Sequence, residues 1–220
     1  MYTITIGDKA YSSWSLRGWL MLAAFRIRFE EELVAMYSPD FTMMQANRAP
    51  ARTVPQLSWK ERSATVRVWD SAAILETLAE RHPEAGHYPR DAGLRRIARI
   101  LVGEMHSGFA ALRAHAPMNL HRVGRPLAEE PEALRLDVER VEALWAWAMA
   151  ETGGPWLAGA TFSAADAFYA PVVFRFEAYG LGSAASQGWR DRVAGHDAVR
   201  RWVEAARADP RRIPRYDDMP

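Results

Sequence analysis

The feature that most constrains this chain is an interruption. His82-Pro83-Glu84-Ala85-Gly86-His87-Tyr88-Pro89 packs two prolines and a glycine into eight residues, a composition that stops a helix and turns the chain. Strand and helix signals alternate before it, and only helical periodicity follows it. A chain that changes its hydrophobic period once, at such a break, is read as an α/β unit joined to an all-α unit. The expected division is residues 1–81, a linker at 82–92, and a helical region over 93–220.

In the front part, Tyr2-Thr3-Ile4-Thr5-Ile6 reads as a strand. Leu16, Trp19, Leu20, Ala23, Ala24 and Ile27 then recur at spacings of three and four, the mark of an amphipathic helix. Residues 28–34 suggest a second strand, and residues 38–52, with Pro39 and Pro50, read as irregular. Residues 53–59 are extended in pattern. Pro55 within them has no N–H and pushes Val54 out of the helical region, so it suits the first residue of a strand or a cis bond that turns the chain. A strand at 65–69 leads into Asp70-Ser71 and a helix carrying Ile74, Leu75, Leu78 and Ala79 on one face.

Beyond the break, Leu94, Ile97, Ala98, Leu101, Met105, Phe109 and Leu112 form one long stripe that ends at Ala116-Pro117. A loop is expected over 117–131. Leu134, Val138, Val141, Trp145 and Ala148 give the next stripe, broken by Gly153-Gly154-Pro155. Phe162-Ser163-Ala164-Ala165-Asp166 has the form of a capping box, opening a helix that runs toward Gly180 with a kink expected at Pro171. A last helix starts near Asp197 and carries Val199, Trp202, Val203 and Ala206. The tail, with Pro210, Pro214 and Asp217-Asp218, reads as surface-bound and loosely ordered.

Charge narrows the partners. The 220 residues carry 28 basic and 27 acidic side chains, so no net field draws the chain to nucleic acid or to a membrane surface. No run of apolar residues has the length of a membrane span, and no basic segment followed by an apolar stretch opens the chain, so the cytoplasm is the expected location. The absence of cysteine removes disulfides, thiolate metal sites and any protein thiol nucleophile. If sulfur chemistry occurs here, a ligand brings the sulfur. No metal site is expected: His106 and His115, read onto one helix nine residues apart, fall on nearly opposite faces.

Two strand-to-helix junctions carry polar side chains. Tyr11-Ser12-Ser13-Trp14-Ser15-Leu16-Arg17 places three serines at the first helix start, with Ser15 the best-placed N-cap because Leu16 opens the apolar stripe. A helix N-terminus offers free N–H groups and partial positive charge, which favour an anion. Asp70-Ser71 forms the second junction, with Ser71 the expected N-cap.

This ordered set resembles the glutathione S-transferases, over roughly residues 2–208. It comprises the serine run before the first helix, Val54-Pro55 before a strand, Asp70-Ser71 before a helix, and Trp156-Leu157-Ala158-Gly159 followed by Ser163-x-x-Asp166. The resemblance implies a thioredoxin-like N-terminal domain followed by an all-helical domain, usually in a cytoplasmic homodimer. It implies glutathione as co-substrate, with Val54 and a cis Pro55 meeting its cysteinyl part and Asp70 and Ser71 holding its γ-glutamyl end. Arg52 lies near the position that meets the glycyl carboxylate. The serine run is closest to serine-type members, including the zeta class, and puts the sulfur-assisting role on Ser12. Ser13 is the alternative by one residue of slip, and Tyr11 the alternative by analogy with tyrosine-type members. Zeta members carry cysteine where this chain has Trp14.

The function so implied is transfer of glutathione to a small hydrophobic electrophile, as in detoxification. A free cysteine thiol has a pKa of about 8.5. A serine hydroxyl donating to the sulfur, helped by the helix dipole, would need to lower it by about two units, or ~2.7 kcal/mol, to make the thiolate dominant. Tyr11, Trp14, Met105, Phe109 and Tyr169 are candidate walls for the electrophile. The alternatives are a glutathione-dependent cis–trans isomerase of the maleylacetoacetate isomerase kind, and a non-catalytic interaction module on the same fold.

Overall fold

The computed structural model describes residues 1–219. Its front part is a four-stranded sheet of β1 (Tyr2–Ile6), β2 (Phe29–Leu33), β3 (Gln56–Glu61) and β4 (Ala64–Trp69), in the order β2-β1-β3-β4. β1 runs parallel to β2, with Tyr2 opposite Phe29, and antiparallel to β3, with Tyr2 opposite Trp59. β3 and β4 form an antiparallel hairpin that sets Gln56 against Trp69. Parallel neighbours require a crossover, supplied here by α1 (Ser13–Ala23). Ile4 and Ile6 on the central strand are fully buried, each contributing about 1.5–3 kcal/mol. β2, at the edge, carries Glu30, Glu31 and Glu32, which discourage further strand pairing.

The segment expected to be irregular holds a helix, α2 (Pro39–Asn47). Ser38 caps it, its Oγ accepting the Phe41 N–H at 3.1 Å. Pro39 is the first helical residue, where its missing N–H costs nothing. Reading the proline as a breaker rather than a starter lost this element. α3 (Ser71–Arg81) follows β4 directly and packs against α1.

The remaining elements are helical. They are α4 (Ala92–Ser107), α5 (Ala110–His115), α6 (Glu132–Thr152), α7 (Ala164–Tyr179), α8 (Gln187–Ala194), α9 (Asp197–Ala208) and the short α10 (Pro214–Asp217). The single long stripe expected through Leu112 is two helices. The break lies at Gly108 and at Phe109, which takes a left-handed backbone at φ 63°. Met105, Phe109 and Leu112 all still face the core, so the apolar period persists across the break and hides it. His106 and His115 therefore lie on different helices.

α7 is the central post. All but one of its residues are buried, and it packs against α1, α4 and α8. The capping box forms as expected: Asp166 accepts from the Ser163 N–H and hydroxyl, and also from the Leu157 N–H and the Trp189 indole. α8 escaped the sequence reading because only Trp189, Arg190 and Val193 of it are buried.

The tail, expected to be loose, is pinned to the front part. Arg211 pairs with Asp8, Tyr216 stacks on Tyr11 at 5.3 Å, and the two tyrosines Tyr37 and Tyr216 share a hydrogen bond of 2.9 Å. Among the described residues no helix is long and apolar enough to cross a membrane.

Candidate functional site

A cavity of about 340 Å³ is lined by Trp14, Thr53, Val54, Pro55, Asp70 and Ser71. Three separate segments meet there: the start of α1, the turn before β3, and the start of α3. The Val54–Pro55 bond is cis. α1 approaches it closely because residue 18 is glycine; a Cβ at Gly18 would lie 2.6 Å from Pro55 Cγ. The sequence reading missed Gly18, whose only signal was a glycine inside an otherwise good helical pattern.

At the second junction the roles differ from expectation. Asp70, not Ser71, is the N-cap: its Oδ1 accepts the Ala72 N–H at 2.7 Å and that of Ala73 at 3.4 Å. Asp70 adopts φ 77° and ψ 138°, a region almost confined to glycine and costly for other residues. Its Oδ2 lies 3.3 Å from His106 Nε2. Ser71 is thereby the first helical residue, fully buried, and its Oγ has no hydrogen-bond partner. A buried hydroxyl beside free helix N–H groups is suited to a carboxylate.

The first junction is also reorganised. Ser12, not Ser15, caps α1, its Oγ accepting the Ser15 N–H at 3.3 Å. The Ser12 hydroxyl also donates to Ser15 Oγ at 2.7 Å, and Ser15 Oγ accepts the Gly7 N–H at 2.9 Å. With three serines in four positions, the contact with Gly7 is what separates Ser15 from Ser12. Ser13 Oγ points elsewhere and accepts from Arg175 at 3.1 Å.

The Tyr11 hydroxyl donates to the Asp217 carboxylate at 2.9 Å. Burial and that bond push its pKa up to about 12. Arg52 is exposed, with its carbonyl accepting from Gln45. Thus Val54, Pro55, Asp70 and Ser71 converge on the cavity with Trp14, while Ser12 sits two residues before Trp14 at the helix cap. Tyr11, Ser13 and Arg52 do not form its wall. Of the proposed electrophile walls only Trp14 lines it; Met105, Phe109 and Tyr169 are core residues.

The glutathione S-transferase N-terminal domain matches residues 11–81 and the C-terminal domain residues 76–205. Many solved structures share the fold. A maleylacetoacetate isomerase from Anaeromyxobacter dehalogenans, with dicarboxyethyl glutathione and citrate in its active site, is 25% identical, with 100% of this chain and 98% of that one covered at a TM-score of 0.65. A glutathione transferase homologue from Burkholderia with bound glutathione is 23% identical, covering 94% and 99% of the two chains at 0.68. FzlA from C. crescentus is 22% identical over 99% and 98% at 0.69. The last two likenesses speak for the fold alone. No curated protein matches the chain.

Proposed function

The chain belongs to the glutathione S-transferase family, and on that premise we propose that it is a glutathione transferase acting through the cavity between Trp14, Val54-Pro55 and Asp70-Ser71. The observation that carries this reading is the buried, unpaired Ser71 Oγ at the start of α3, in the same wall as the cis Pro55 turn.

Glutathione supplies the sulfur nucleophile. Ser71 and the first N–H groups of α3 receive its γ-glutamyl carboxylate. Asp70 Oδ2 attracts the neighbouring ammonium, and the backbone of Val54 meets the cysteinyl unit. Ser12 assists the sulfur. A hydroxyl both donates and accepts, so the Ser12–Ser15 bond can reverse. Ser15, anchored by the Gly7 N–H, then donates to Ser12 Oγ and frees the Ser12 hydrogen for the thiolate. Two contacts favour Ser12 over its rivals: Ser13 Oγ is held by Arg175, and the Tyr11 phenol is held by Asp217. A hydroxyl that donates to the charged form lowers the thiol pKa, and the α1 N-terminus adds to the effect. Serine neither ionises nor forms a covalent intermediate; it stabilises charge where the reaction needs it.

The electrophile is a small molecule with an apolar body, held against Trp14. The division at 82–92, a cytoplasmic homodimer and a role in detoxification complete the proposal. A glutathione-dependent isomerase is the second reading, favoured by the likeness to the Anaeromyxobacter enzyme; turnover of a cis-diketo acid would establish it. An interaction module on the same fold would bind no glutathione.

The test is the pH dependence of thiolate ultraviolet absorbance in the glutathione complex. Ser12→Ala raises the thiol pKa by about one to two units, while Ser13→Ala and Tyr11→Phe leave it nearly in place. A pKa insensitive to Ser12, or moved more by Tyr11, sinks the assignment. Absence of any complex at saturating glutathione sinks the transferase reading.

A further inference from the structure

His106 sits in the last turn of α4. The helix stops one residue beyond it, at the turn made by Gly108 and the left-handed Phe109. Arg113 holds that end in place, donating to the carbonyls of Met105 and Gly108, where a cation also meets the helix dipole favourably. From this fixed position the imidazole leaves the helical part and reaches the front part. Its Nε2 lies 3.3 Å from Asp70 Oδ2. Its ring meets the Trp14 indole edge to face, with centroids 5.3 Å apart and planes at 84°. Asp70 and Trp14 both line the cavity. His106 Nδ1 is buried without a hydrogen-bond partner, so the pair with Asp70 is the ring's one polar contact among the described residues. Nε2 carries the hydrogen in that pair, because an ionised carboxylate only accepts.

As a contribution to stability the pair is minor. The two side chains are 29% and 44% exposed, and an ion pair so placed is worth roughly 0–1 kcal/mol. Its consequence is geometric. A carboxylate offers about four lone-pair positions. Oδ1 uses its two on the N–H groups of Ala72 and Ala73. Oδ2 uses one on His106 and keeps one. The bonds at Oδ1 anchor a single oxygen, about which the other can swing. The contact with Nε2 fixes the second oxygen and so the direction of the free lone pair. Asp70 also holds a backbone conformation, φ 77° and ψ 138°, of the kind that persists only where the surroundings over-determine it.

We infer that His106 is a positioning residue for glutathione: it holds Asp70 Oδ2 so that the remaining lone pair meets the γ-glutamyl ammonium, and it thereby brings the helical part into recognition of glutathione. This rests on the transferase reading and deepens it. A carboxylate oriented before the ligand arrives spares the ordering cost at the moment of binding. The effect falls on affinity for glutathione. The sulfur, assisted by Ser12, is left alone.

The test is calorimetric affinity for two ligands, glutathione and glutaryl-cysteinylglycine, which lacks only the amino group. The proteins are the parent, His106→Phe and His106→Gln. Phenylalanine keeps a ring against Trp14 and removes the donor. Glutamine loses the ring and restores an N–H donor near the place of Nε2. His106→Phe should weaken glutathione about tenfold, and His106→Gln should recover most of that loss. Neither should alter affinity for the deaminated analogue beyond about twofold. In an Asp70→Ala background His106→Phe should add less than about twofold, since a residue acting through another has no effect once that other is gone. With 1-chloro-2,4-dinitrobenzene as electrophile, whose chloride leaves as the sulfur–carbon bond forms, KM for glutathione should rise in His106→Phe by the same factor as the affinity falls, with kcat held within about twofold. Urea midpoints check that the fold is kept, and His106→Ala serves as the donor-free variant if the phenylalanine does not fold.

Glutathione affinity unchanged without the imidazole overturns the inference. So does a loss that is equal for the deaminated analogue, that glutamine does not repair, or that persists in full without Asp70; each of these places the role in packing against Trp14. If Asp70→Ala weakens glutathione and His106→Phe does not, the glutathione site stands without this residue. If the parent binds no glutathione, both fall.

Discussion

Replacing Asp70 by glycine should separate stability from function. Asp70 is held at φ 77° and ψ 138°, at a cost of about 1–3 kcal/mol for a non-glycine residue. Glycine relieves that strain. Against the gain, glycine at an N-cap is worse than aspartate by a few tenths of a kcal/mol. Its extra freedom in the unfolded chain costs about 0.5–1 kcal/mol. The pair with His106, with side chains 29% and 44% exposed, is worth roughly 0–1 kcal/mol. Gains and losses are of similar size, so Asp70→Gly should change stability by no more than ~2 kcal/mol in either direction, or several degrees in melting temperature. Asp70→Ala keeps the strain and loses the cap, and should cost about 0.5–2 kcal/mol. Glycine should therefore be the more stable variant, the reverse of the usual order inside a folded chain. Both variants lose the carboxylate that faces the ammonium, a charge-assisted contact worth about 1.5–3 kcal/mol, so glutathione affinity should fall about ten- to a hundredfold in each. Urea melts and calorimetry on the three proteins measure both quantities. A glycine variant less stable than the alanine variant would refute the strain argument, and unchanged glutathione affinity would refute the role of the carboxylate.

Gly18→Ala brings a Cβ to 2.6 and 2.8 Å from the Pro55 ring. The overpacking, about 1–3 kcal/mol, should outweigh the ~1 kcal/mol gain in helix propensity, lower the urea midpoint and weaken glutathione binding by moving the turn. Ser71→Ala removes a buried hydroxyl that nothing satisfies, so it should leave the melting temperature level or raised while weakening glutathione at least about tenfold. Loss of stability without loss of binding would reverse that assignment. His87, whose Nε2 lies 2.8 Å from the Met21 carbonyl, is held below its usual pKa chiefly by burial. The unfolded chain takes up a proton near pH 6.5 that the folded chain refuses, so stability is fully present above that pH and is lost on acidification. The slope attributable to this one group is at most about 1.4 kcal/mol per pH unit. Urea midpoints at neutral and mildly acidic pH, with His87→Gln as control, should show the slope reduced in the variant; an equal slope would place the acid sensitivity elsewhere.

Much of this architecture was legible because it rests on periodicity and punctuation. The alternating front part, the stop at residues 82–89 and the box at Ser163 and Asp166 all follow from local chemistry. The convergence of Val54, Pro55, Asp70 and Ser71 was instead implied by the family resemblance; in the structure it follows because the start of β3 and the end of β4 lie side by side in an antiparallel hairpin. What was lost depends on single backbone angles or on distant contacts. The left-handed turn at Phe109 leaves the apolar stripe intact and so is silent. Asp70 rather than Ser71 caps α3 because of a positive φ that no residue type announces. Ser12 rather than Ser15 caps α1 because Ser15 bonds to Gly7, across the loop. The tail is held by Tyr11, Asn119 and Tyr37, residues 98 or more positions away from their contacts in the chain. The buried arginines Arg17 and Arg175 went unnoticed, because burial of a charged side chain leaves no mark on hydrophobic periodicity.

The central claim is that one cavity, at the starts of α1 and α3 and the cis Pro55 turn, holds glutathione. The crystal structure of the glutathione complex tests it most directly. The γ-glutamyl carboxylate should lie on Ser71 Oγ, the cysteinyl unit along Val54, and the sulfur facing Ser12. Glutathione bound elsewhere, such as in the 520 Å³ cleft beside His82 and Tyr88, or with its sulfur against Tyr11, would contradict it.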